Sequence, residues 1–406
     1  MKAHSTIVVK KFGGTSVGSI ERIEAVAERV LADVKLGQKP IVVASAMSGE
    51  TNRLVQLAKE LDPFYRGPAY DMLVASGEQV SIALLAIALK KRGAQAVPLL
   101  AHQLGIHTDA LFSKARITRI KTERLISFLG KGMIPIVAGF QGVTDGGWMT
   151  TLGRGGSDTT AVALAAAIGS GVCEIYTDVP AVYSADPRMV PEAREIPLLT
   201  FEEMMEMASL GSKVLHFRSV ELAAKFKVKV HLRSTFETRE GTWVVPEGEK
   251  MEAPVVSSIT CEPQTLVIKM FPVPYEGGFL AKFFEKLAEK GVVVDIITQS
   301  HNEEGQRLAF SVRKEDQGAA LQVVKSMVDQ KTQITQMTSM AKVSAVGVGM
   351  ANHPGVAARF FKVLERLKVP VHLVTTSEIK ISAIIDRQNL EKTVKSMHTE
   401  FGLDQE

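Results

Sequence analysis

The sequence predicts an α/β protein in two parts: a mainly parallel sheet with helices on both faces, then a pair of small duplicated domains. Three observations lead to this prediction. Short apolar runs alternate with amphipathic helical patterns over about the first 245 residues. A charged segment with Pro246 and Gly248 follows, and the rest of the chain repeats itself at an offset of 77 residues, from Pro274 to Ala351.

The first part is predicted from its alternating elements. Buried strands are expected at residues 7–9, 41–44, 96–100, 134–138, 174–177 and 229–232, and helices at residues 20–36, 78–92, 118–131 and 159–168. Fully apolar strands separated by helices are typical of a parallel sheet whose two faces are both covered.

The second part contains an internal repeat. Gly278 corresponds to Gly355, and Phe283 corresponds to Phe360. Each copy has the pattern strand, Gly-containing turn, helix, strand, strand, helix, which indicates duplicated small domains. The second copy lacks a closing strand, while residues 255–261 form a spare apolar run. We therefore expect that run to pair with the second copy's sheet, so that the first small domain is inserted into the second.

Composition excludes several classes of protein. The 406 residues are 46% hydrophobic and 23% charged, with a net charge of +4 and both signs interspersed, which argues against a nucleic-acid partner. Two cysteines, Cys173 and Cys261, suit a reducing compartment. The longest apolar stretches are shorter than the roughly 20 residues of a membrane span, and no signal peptide is evident. We expect a soluble, cytoplasmic protein without a membrane partner.

The first motif, KKFGGTSVGS, runs from a strand through two glycines into a helix. Bare backbone N–H groups at a helix N-terminus form a site for a phosphate, and Lys11 adds a positive charge. A plain Gly-Gly turn followed by a serine cap would have the same pattern. The P-loop signature is absent.

The second motif, TLGRGGSDTTAVALAAAI, places Gly155 and Gly156 before a long apolar helix. Arg154 is suited to bidentate recognition of a carboxylate, and Asp158 lies near the helix start, where a negative charge is favourable. As structure alone, Ser157 or Asp158 would be an N-cap.

The third motif is YTDVPAVYSADPR, followed by SLGSKVLHFRSVELA. Asp178, Tyr183 and Arg188 follow a buried strand, the usual place for a ligand at the carboxyl ends of a parallel sheet. Lys213 precedes another helix. Taken singly, each of these polar residues would more often be solvated surface.

KFGGTSV, GRGGSDTTA and TDV-x-x-VYSADPR before SLGSKVL, in this order, resemble the aspartokinases of the amino acid kinase family. The C-terminal repeat resembles their paired ACT regulatory domains. The resemblance implies a three-layer α/β/α sandwich followed by two ferredoxin-like βαββαβ domains. The implied boundaries are residues 1–245 for the kinase domain, 246–254 for a linker, 264–341 for the first ACT domain, and 255–263 with 342–406 for the second.

The resemblance also implies the site residues. The catalytic residues would be Lys11, Asp158 and Lys213, with Asp158 orienting the lysines. Aspartate would be bound by Ser45, Thr51, Glu78, Arg154, Gly155, Gly156 and Ser157; Glu78 would hold its amino group and Arg154 its α-carboxylate. ATP would be bound by Lys11, Phe12, Gly13, Gly14, Thr177, Asp178, Tyr183, Ser184, Ala185, Asp186, Pro187, Arg188, Lys213 and Val214.

The implied reaction is phosphorylation of the aspartate side-chain carboxylate by ATP, with Mg²⁺ carried by the nucleotide rather than by protein ligands. A carboxylate is already ionised at pH 7, so no general base is needed. The alternatives are a kinase of glutamate or acetylglutamate, and a catalytically inactive ligand sensor.

Control by an amino-acid effector, lysine or threonine or both, is implied for the repeats, with Gln299, Ser377 and Glu378 as contacts. The ACT domains would also join the chains of a homo-oligomer. The first repeat departs from the family pattern at residues 275–278, which puts a ligand there in doubt.

Resemblance to aspartokinases of the α₂β₂ type implies a shorter second product that starts at Met251, at the domain boundary; an ordinary linker methionine is the alternative. Expression of the Met251→Leu gene should then lose a band of regulatory-domain size, whereas a single full-length band from the native gene would refute an internal start.

Overall fold

The computed structural model describes residues 7–210, 214–249, 254–274, 278–302 and 305–405. The chain divides into two compact units. The first comprises Met1–Val182, Glu195–Ser209 and Lys213–Met251, and the second comprises Tyr183–Arg194, Leu210–Ser212 and Glu252–Glu406. Lys213 and Met251, both singled out above, lie outside the described residues.

The first unit alternates strands and helices over its whole length. Its strands are β1 (Ile7–Phe12), β2 (Lys39–Ala44), β3 (Ala96–Leu99), β4 (Ile106–Thr108), β5 (Ile117–Ile120), β6 (Ile134–Ala138), β7 (Gln141–Val143), β8 (Met149–Thr151), β9 (Val172–Thr177), β10 (Val182–Tyr183, whose second residue begins the other unit), β11 (Glu195–Ile196), β12 (Leu198–Thr200), β13 (Lys229–Ser234) and β14 (Thr242–Val245). Its helices are α1 (Ile20–Lys35), α2 (Glu50–Leu61), α3 (Pro68–Val74), α4 (Ser76–Lys91), α5 (Ala101–Leu104), α6 (Glu123–Gly130), α7 (Gly156–Ile168), α8 (Phe201–Ser209) and α9 (Phe217–Phe226).

The main sheet has eight strands in the order β12-β14-β13-β9-β1-β2-β6-β3. All neighbours run parallel except β13 and β14. The central strands β1, β2, β6 and β9 are almost wholly buried, which is why their sequences are continuous apolar runs. The predicted parallel sheet is therefore confirmed.

Two neighbouring lysines show that the sheet is covered on both faces. Lys10 contacts Asp33 of α1, and Lys11 contacts Asp158 of α7. Because successive residues of a strand point to opposite faces, α1 and α7 lie on opposite sides of the sheet. The layers are α/β/α, as expected.

The helix predicted at residues 118–131 is wrong in its first part. Residues Ile117–Ile120 form β5, which pairs antiparallel with β4, and the helix begins only at Glu123. Β-branched residues with a polar pair between them favour a strand once a partner strand is present.

One helical segment, Pro68–Lys91, is long and apolar enough by composition to cross a membrane, and 56% of its most apolar window is buried. It covers α3 and α4, whose Ile82, Leu85 and Leu89 belong to the core on one face of the main sheet. Burial of this kind is typical of a core helix.

The second unit is built on one six-stranded antiparallel sheet. Its strands are β15 (Ser258–Val273), β16 (Val294–Asn302), β17 (Gly305–Arg313), β18 (Gln333–Val346), β19 (Val371–Ser377) and β20 (Lys380–Asp386), in the order β16-β17-β15-β18-β20-β19. Its helices are α10 (Phe279–Glu289), α11 (Gln317–Met327), α12 (Val356–Arg366) and α13 (Leu390–Glu400).

Two long strands, β15 and β18, are shared between the two repeats. Ser258–Glu262 pairs with Lys342–Val346, which pairs in turn with β20. After a register shift between Glu262 and Thr265, the rest of β15 pairs with the first half of β18 and with β17. The predicted pairing of the spare run with the second repeat's sheet is confirmed for its residues from Ser258 onward.

Each half of this sheet carries its own core. The first is formed with α10 and α11 around Phe283 and Phe310, and the second with α12 and α13 around Phe360 and Val394. The halves have the strand order of two ferredoxin-like domains joined through their common strands. We propose the domain boundaries given above on this basis.

Candidate active site

The first unit gathers its unusual residues at the carboxyl ends of the parallel strands. The N–H of Gly13 donates to the carbonyl of Tyr176 at 3.1 Å, that of Ser45 to Phe12 at 3.1 Å, and that of Gly139 to Ala44 at 3.0 Å. These bonds continue the ladder by one residue past each strand. They bring the segments that follow β1, β2, β6 and β9 to one edge of the sheet, as ligand sites of parallel sheets require.

Lys11 and Asp158 form a buried ion pair at this edge. Lys11 Nζ lies 2.6 Å from Asp158 Oδ1, and each side chain is only 11% exposed. Lys11 is the penultimate residue of β1, and Asp158 lies in the first turn of α7, where the helix dipole favours a carboxylate. Two residues 147 positions apart are thus joined, as expected if Asp158 orients this lysine.

Glycines let the backbone segments approach closely here. A Cβ on Gly14 would lie 2.8 Å from the carbonyl oxygen of Ala46, and one on Gly139 would lie 2.7 Å from Ser157. Both distances are shorter than real contacts, so a side chain would separate the loop after β1 from the loop after β2, or β6 from the start of α7. The Gly13–Gly14 turn and Ser157 are therefore held in one compact edge.

The loop between β8 and α7 carries Arg154, which is exposed and forms no hydrogen bond or ion pair with the described residues. Gly155, the N-cap of α7, has φ +66°. A Cβ there would lie 2.2 Å from Cβ of His216, so only glycine fits. The predicted carboxylate clamp is free to bind an anion.

Glu78 is the most perturbed acid of this unit. It lies on α4 and is 3% exposed. Oε1 accepts from the N–H of Ala46 at 3.1 Å, whereas Oε2 has no hydrogen-bond partner among the described residues. Burial raises the pKa of Glu78 to about 8, although backbone hydrogen bonds act in the opposite direction. A buried carboxyl with one oxygen unused suits a cationic ligand group.

Ser45 precedes Ala46, the residue whose N–H donates to Glu78, and Thr51 follows six residues after Ser45. The carbonyl of Ser45 accepts from Ser81 Oγ at 2.7 Å, which ties the loop after β2 to α4. Thr51 lies half-buried in the first turn of α2. Phe12, the remaining residue of the first motif, stacks on Tyr176 with ring centroids 4.8 Å apart; its side chain is core, and only its backbone lies at the edge.

The residues predicted to bind nucleotide are divided between the two units. Thr177 ends β9, and its hydroxyl donates to the exposed Asp178 at 3.0 Å. Val214 is half-buried in the first unit. Lys11, Phe12, Gly13 and Gly14 also belong to the first unit, whereas Tyr183, Ser184, Ala185, Asp186, Pro187 and Arg188 belong to the second.

Within the second unit, this segment is firmly anchored. Ser184 Oγ lies 2.9 Å from His398 Nε2 of α13, and its carbonyl accepts from the N–H of Ile259 at 2.7 Å. Ala185 is buried in the core of the second repeat. Arg188 donates two guanidinium bonds to Asp186, at 3.0 and 2.6 Å, which raises the pKa of Arg188.

A second charged cluster was not foreseen from the sequence. Lys10, 1% exposed, lies 2.6 Å from Asp33 Oδ2 and 2.9 Å from Glu174 Oε2, and Tyr176 donates to Glu174 at 2.8 Å. Lys10 lowers the pKa of Glu174, against the effect of burial. Charged residues inside otherwise apolar strands, as in VVKKF and VCEIYT, were the available signal.

The three predicted regulatory residues lie on the edge strands of the second unit's sheet or beside them. Gln299 is an exposed residue of β16 and pairs with Leu308. Ser377 ends β19 and Glu378 lies in the turn before β20. Across the described part of the chain, no group of three His, Cys, Asp or Glu is placed to hold a metal ion.

Comparison with known proteins shows which families and proteins this chain resembles. The model of the amino acid kinase family matches residues 6–234, and an ACT domain model matches residues 343–401. An aspartate kinase from Pseudomonas putida is 44% identical over 402 residues, covering 98% of both chains. An aspartokinase from Geobacillus stearothermophilus is 45% identical over 401 residues, again with 98% of both chains covered.

Two solved structures of E. coli aspartokinase III share the fold at 26% identity, with 97% of this chain and 99% of theirs covered. The R-state complex with aspartate and ADP superposes with a TM-score of 0.81, and the T-state complex with lysine and aspartate with a TM-score of 0.78.

Proposed function

Because the chain belongs to the aspartokinases of the amino acid kinase family and is a kinase with ACT domains, we propose that it transfers the γ-phosphoryl group of ATP to the side-chain carboxylate of L-aspartate. The product is 4-phospho-L-aspartate, the first intermediate towards lysine, threonine and methionine. The observation that supports this most is the buried Lys11–Asp158 pair at the glycine-rich edge of the sheet. We place the reaction in the cytoplasm.

Two anions must approach each other in this reaction, so the protein's task is positioning and charge neutralisation. Lys11 would neutralise charge that develops on the transferring group, since its ammonium has two further donors beyond the one facing Asp158. The N–H groups of Gly14 and of the start of α7 would donate to phosphate oxygens. The aspartate carboxylate attacks as the anion, and no proton has to be removed.

Arg154 and Glu78 would hold the substrate's two charged main-chain groups. Arg154 presents five donors in a planar fork that matches an α-carboxylate, and the unused Oε2 of Glu78 would receive the ammonium. Ser45, Thr51, Gly155, Gly156 and Ser157 complete the proposed aspartate site.

Nucleotide would be bound by Lys11, Phe12, Gly13, Gly14, Thr177, Asp178, Tyr183, Ser184, Ala185, Asp186, Pro187, Arg188, Lys213 and Val214. An Mg²⁺ ion would arrive with the nucleotide, held by its phosphates and keeping several waters. When bound, it would neutralise charge on the phosphates.

Removal of Arg154 should act on binding rather than on turnover. For Arg154→Ala, we expect the aspartate KM to rise about 100-fold, the loss typical of a charge-assisted bidentate contact, with the ATP KM within about threefold. Steady-state kinetics with each substrate varied in turn measure both. Arg124→Ala is a matched control, because Arg124 is an exposed arginine that donates to the carbonyl of Gln103 and is assigned to neither substrate. An aspartate KM that is unchanged in Arg154→Ala would show that Arg154 does not bind the α-carboxylate.

We propose further that the second unit senses lysine, threonine or both, and joins chains into a homo-oligomer. β16 and β19 are the edges of its sheet, and unpaired edges favour pairing with another copy. A ligand bound there would favour one arrangement of the chains and so shift the activity. Sedimentation at several concentrations tests the assembly: a purely monomeric chain would exclude it.

Millimolar lysine, threonine or both together should inhibit the wild-type chain, and Gln299→Ala should weaken that inhibition at least about tenfold, as loss of a polar contact predicts. Gln336→Ala is the control, since Gln336 is an exposed glutamine on β18 of the same sheet. Activity that is unaffected by both amino acids would leave the repeats with a role in assembly alone.

A further inference from the structure

An arginine outside the predicted site holds the loop that carries Arg154. Arg218, the second residue of α9, donates from Nη1 to the carbonyl of Leu152 at 2.7 Å and from Nη2 to the carbonyl of Ala115 at 2.7 Å. Within the described residues its guanidinium has no carboxylate partner. Both acceptors of its guanidinium are main-chain carbonyls, so Arg218 holds two backbone segments in place.

The two carbonyls belong to neighbouring segments. Ala115 N–H donates to the carbonyl of Thr151 at 3.0 Å, and Leu152 N–H donates to that of Phe140 at 2.8 Å. Arg218 therefore ties together the loop before β5, the end of β8 and, through Leu152, the segment after β6. Leu152 is two residues ahead of Arg154. The bond from Arg218 to Leu152 therefore fixes the point at which the loop that carries Arg154 leaves β8.

Other contacts hold the same loop but leave Arg154 itself free. Asp71, fully buried, accepts from the N–H of Thr151 at 2.7 Å and from that of Ser113 at 2.9 Å. At the far end, Gly155 packs against His216, which caps α9 with a bond from the N–H of Arg218. The start of α9 thus contacts the loop on both sides of Arg154, through Leu152 and through Gly155.

We propose that Arg218 is a positioning residue for substrate binding: it holds residues 152–156 so that Arg154 meets the α-carboxylate of the acceptor. This inference rests on the proposed function. Arg218 acts through Arg154 and does not touch substrate. Loss of Arg218 therefore lowers the affinity for aspartate. It leaves unchanged the positive charge that Lys11 places beside the transferring phosphoryl group.

The test is a double-mutant cycle between Arg218 and Arg154. Arg218→Ala should raise the aspartate KM between about 10- and 100-fold, the range expected when a binding group is misplaced by about an ångström, with kcat and the ATP KM within about threefold. In the Arg154→Ala background, the same change should raise KM by less than about twofold, because the group it positions is already gone. Arg218→Lys, which cannot span both carbonyls, should lie between the wild type and Arg218→Ala.

The outcomes separate the two proposals. A wild type without aspartate-dependent turnover overturns the proposed function and this inference with it. An active wild type whose aspartate KM is unchanged in Arg218→Ala, or increases equally in both backgrounds, overturns this inference alone. If Arg218→Ala does not fold, as judged by circular dichroism, the cycle is run with Arg218→Lys and the same criteria apply.

Discussion

Lys11→Ala should lower kcat by about 100- to 1000-fold, the loss typical of removing one donor from a site of developing charge. The physical reason is that the ammonium of Lys11 is buried, is held by Asp158, and lies beside Gly13, where a Cβ would be 3.5 Å from Nζ. Its attraction to the transferring group grows in the transition state, so the aspartate KM should change much less. Steady-state kinetics under saturating ATP measure both constants.

Loss of stability is the alternative explanation for such an effect, because Lys11→Ala leaves Asp158 buried without its counter-charge. The double variant Lys11→Ala with Asp158→Asn removes both charges and separates the two causes. Its thermal unfolding midpoint should recover towards the wild-type value while kcat stays low. A decrease in kcat smaller than about tenfold, equivalent to about 1.4 kcal/mol, would exclude Lys11 from catalysis.

Aspartate affinity should increase with pH, because Glu78 must be ionised to receive the substrate ammonium. With a pKa raised to about 8 by burial, the free enzyme carries a proton on Glu78 at pH 6 to 7. Binding therefore releases that proton, and the aspartate KM should fall roughly 50-fold between pH 6 and pH 8 by linkage. Calorimetry in buffers of different ionisation enthalpy detects the released proton.

The neighbouring charges do not supply another explanation. Glu50 of α2 is paired with Arg53, and Asp71 of α3 is satisfied by backbone donors. Glu78→Gln should raise KM and abolish this pH dependence. An unchanged slope of KM against pH in Glu78→Gln would show that another group titrates.

The raised pKa of Glu78 also predicts how the stability of the substrate-free protein changes with pH. The folded-state pKa of Glu78 is raised above its unfolded value. The stability that Glu78 contributes is therefore fully present below the unfolded pKa, and it is lost as the pH rises through the folded pKa of about 8. Between pH 5 and pH 8 the free energy of unfolding should fall by on the order of 3–4 kcal/mol. Urea unfolding at pH 5 and pH 8 should show this fall in the wild type and not in Glu78→Gln.

Much of the fold could be predicted because its signals are local. The apolar runs of β1, β2, β6 and β9 are buried for the reason that made them recognisable, and the spare strand ahead of the first repeat followed from comparing the two copies. The helix expected at residues 118–131 was partly wrong because Ile117–Ile120 gains a partner, β4, that the local pattern does not reveal.

The site was only partly predictable. The glycine motifs and the charged residues beside them were visible, and the ion pair of Lys11 with Asp158 was expected from their roles. Arg218 and Asp71 were missed because each is an ordinary residue whose importance depends on distant carbonyl or N–H partners. The anchoring of Ser184 to His398, 214 positions away, depends likewise on tertiary contacts.

The central claim is that aspartate is the phosphoryl acceptor, and an ATP-dependent hydroxamate assay tests it most directly. Aspartate, glutamate and N-acetylglutamate are compared by kcat/KM with the wild-type chain. Glutamate is longer by one methylene, which is worth about 10- to 200-fold in discrimination, and N-acetylglutamate also lacks the ammonium that Glu78 would bind. The account predicts that aspartate exceeds both by at least about tenfold, whereas equal or faster turnover of either competitor would contradict it.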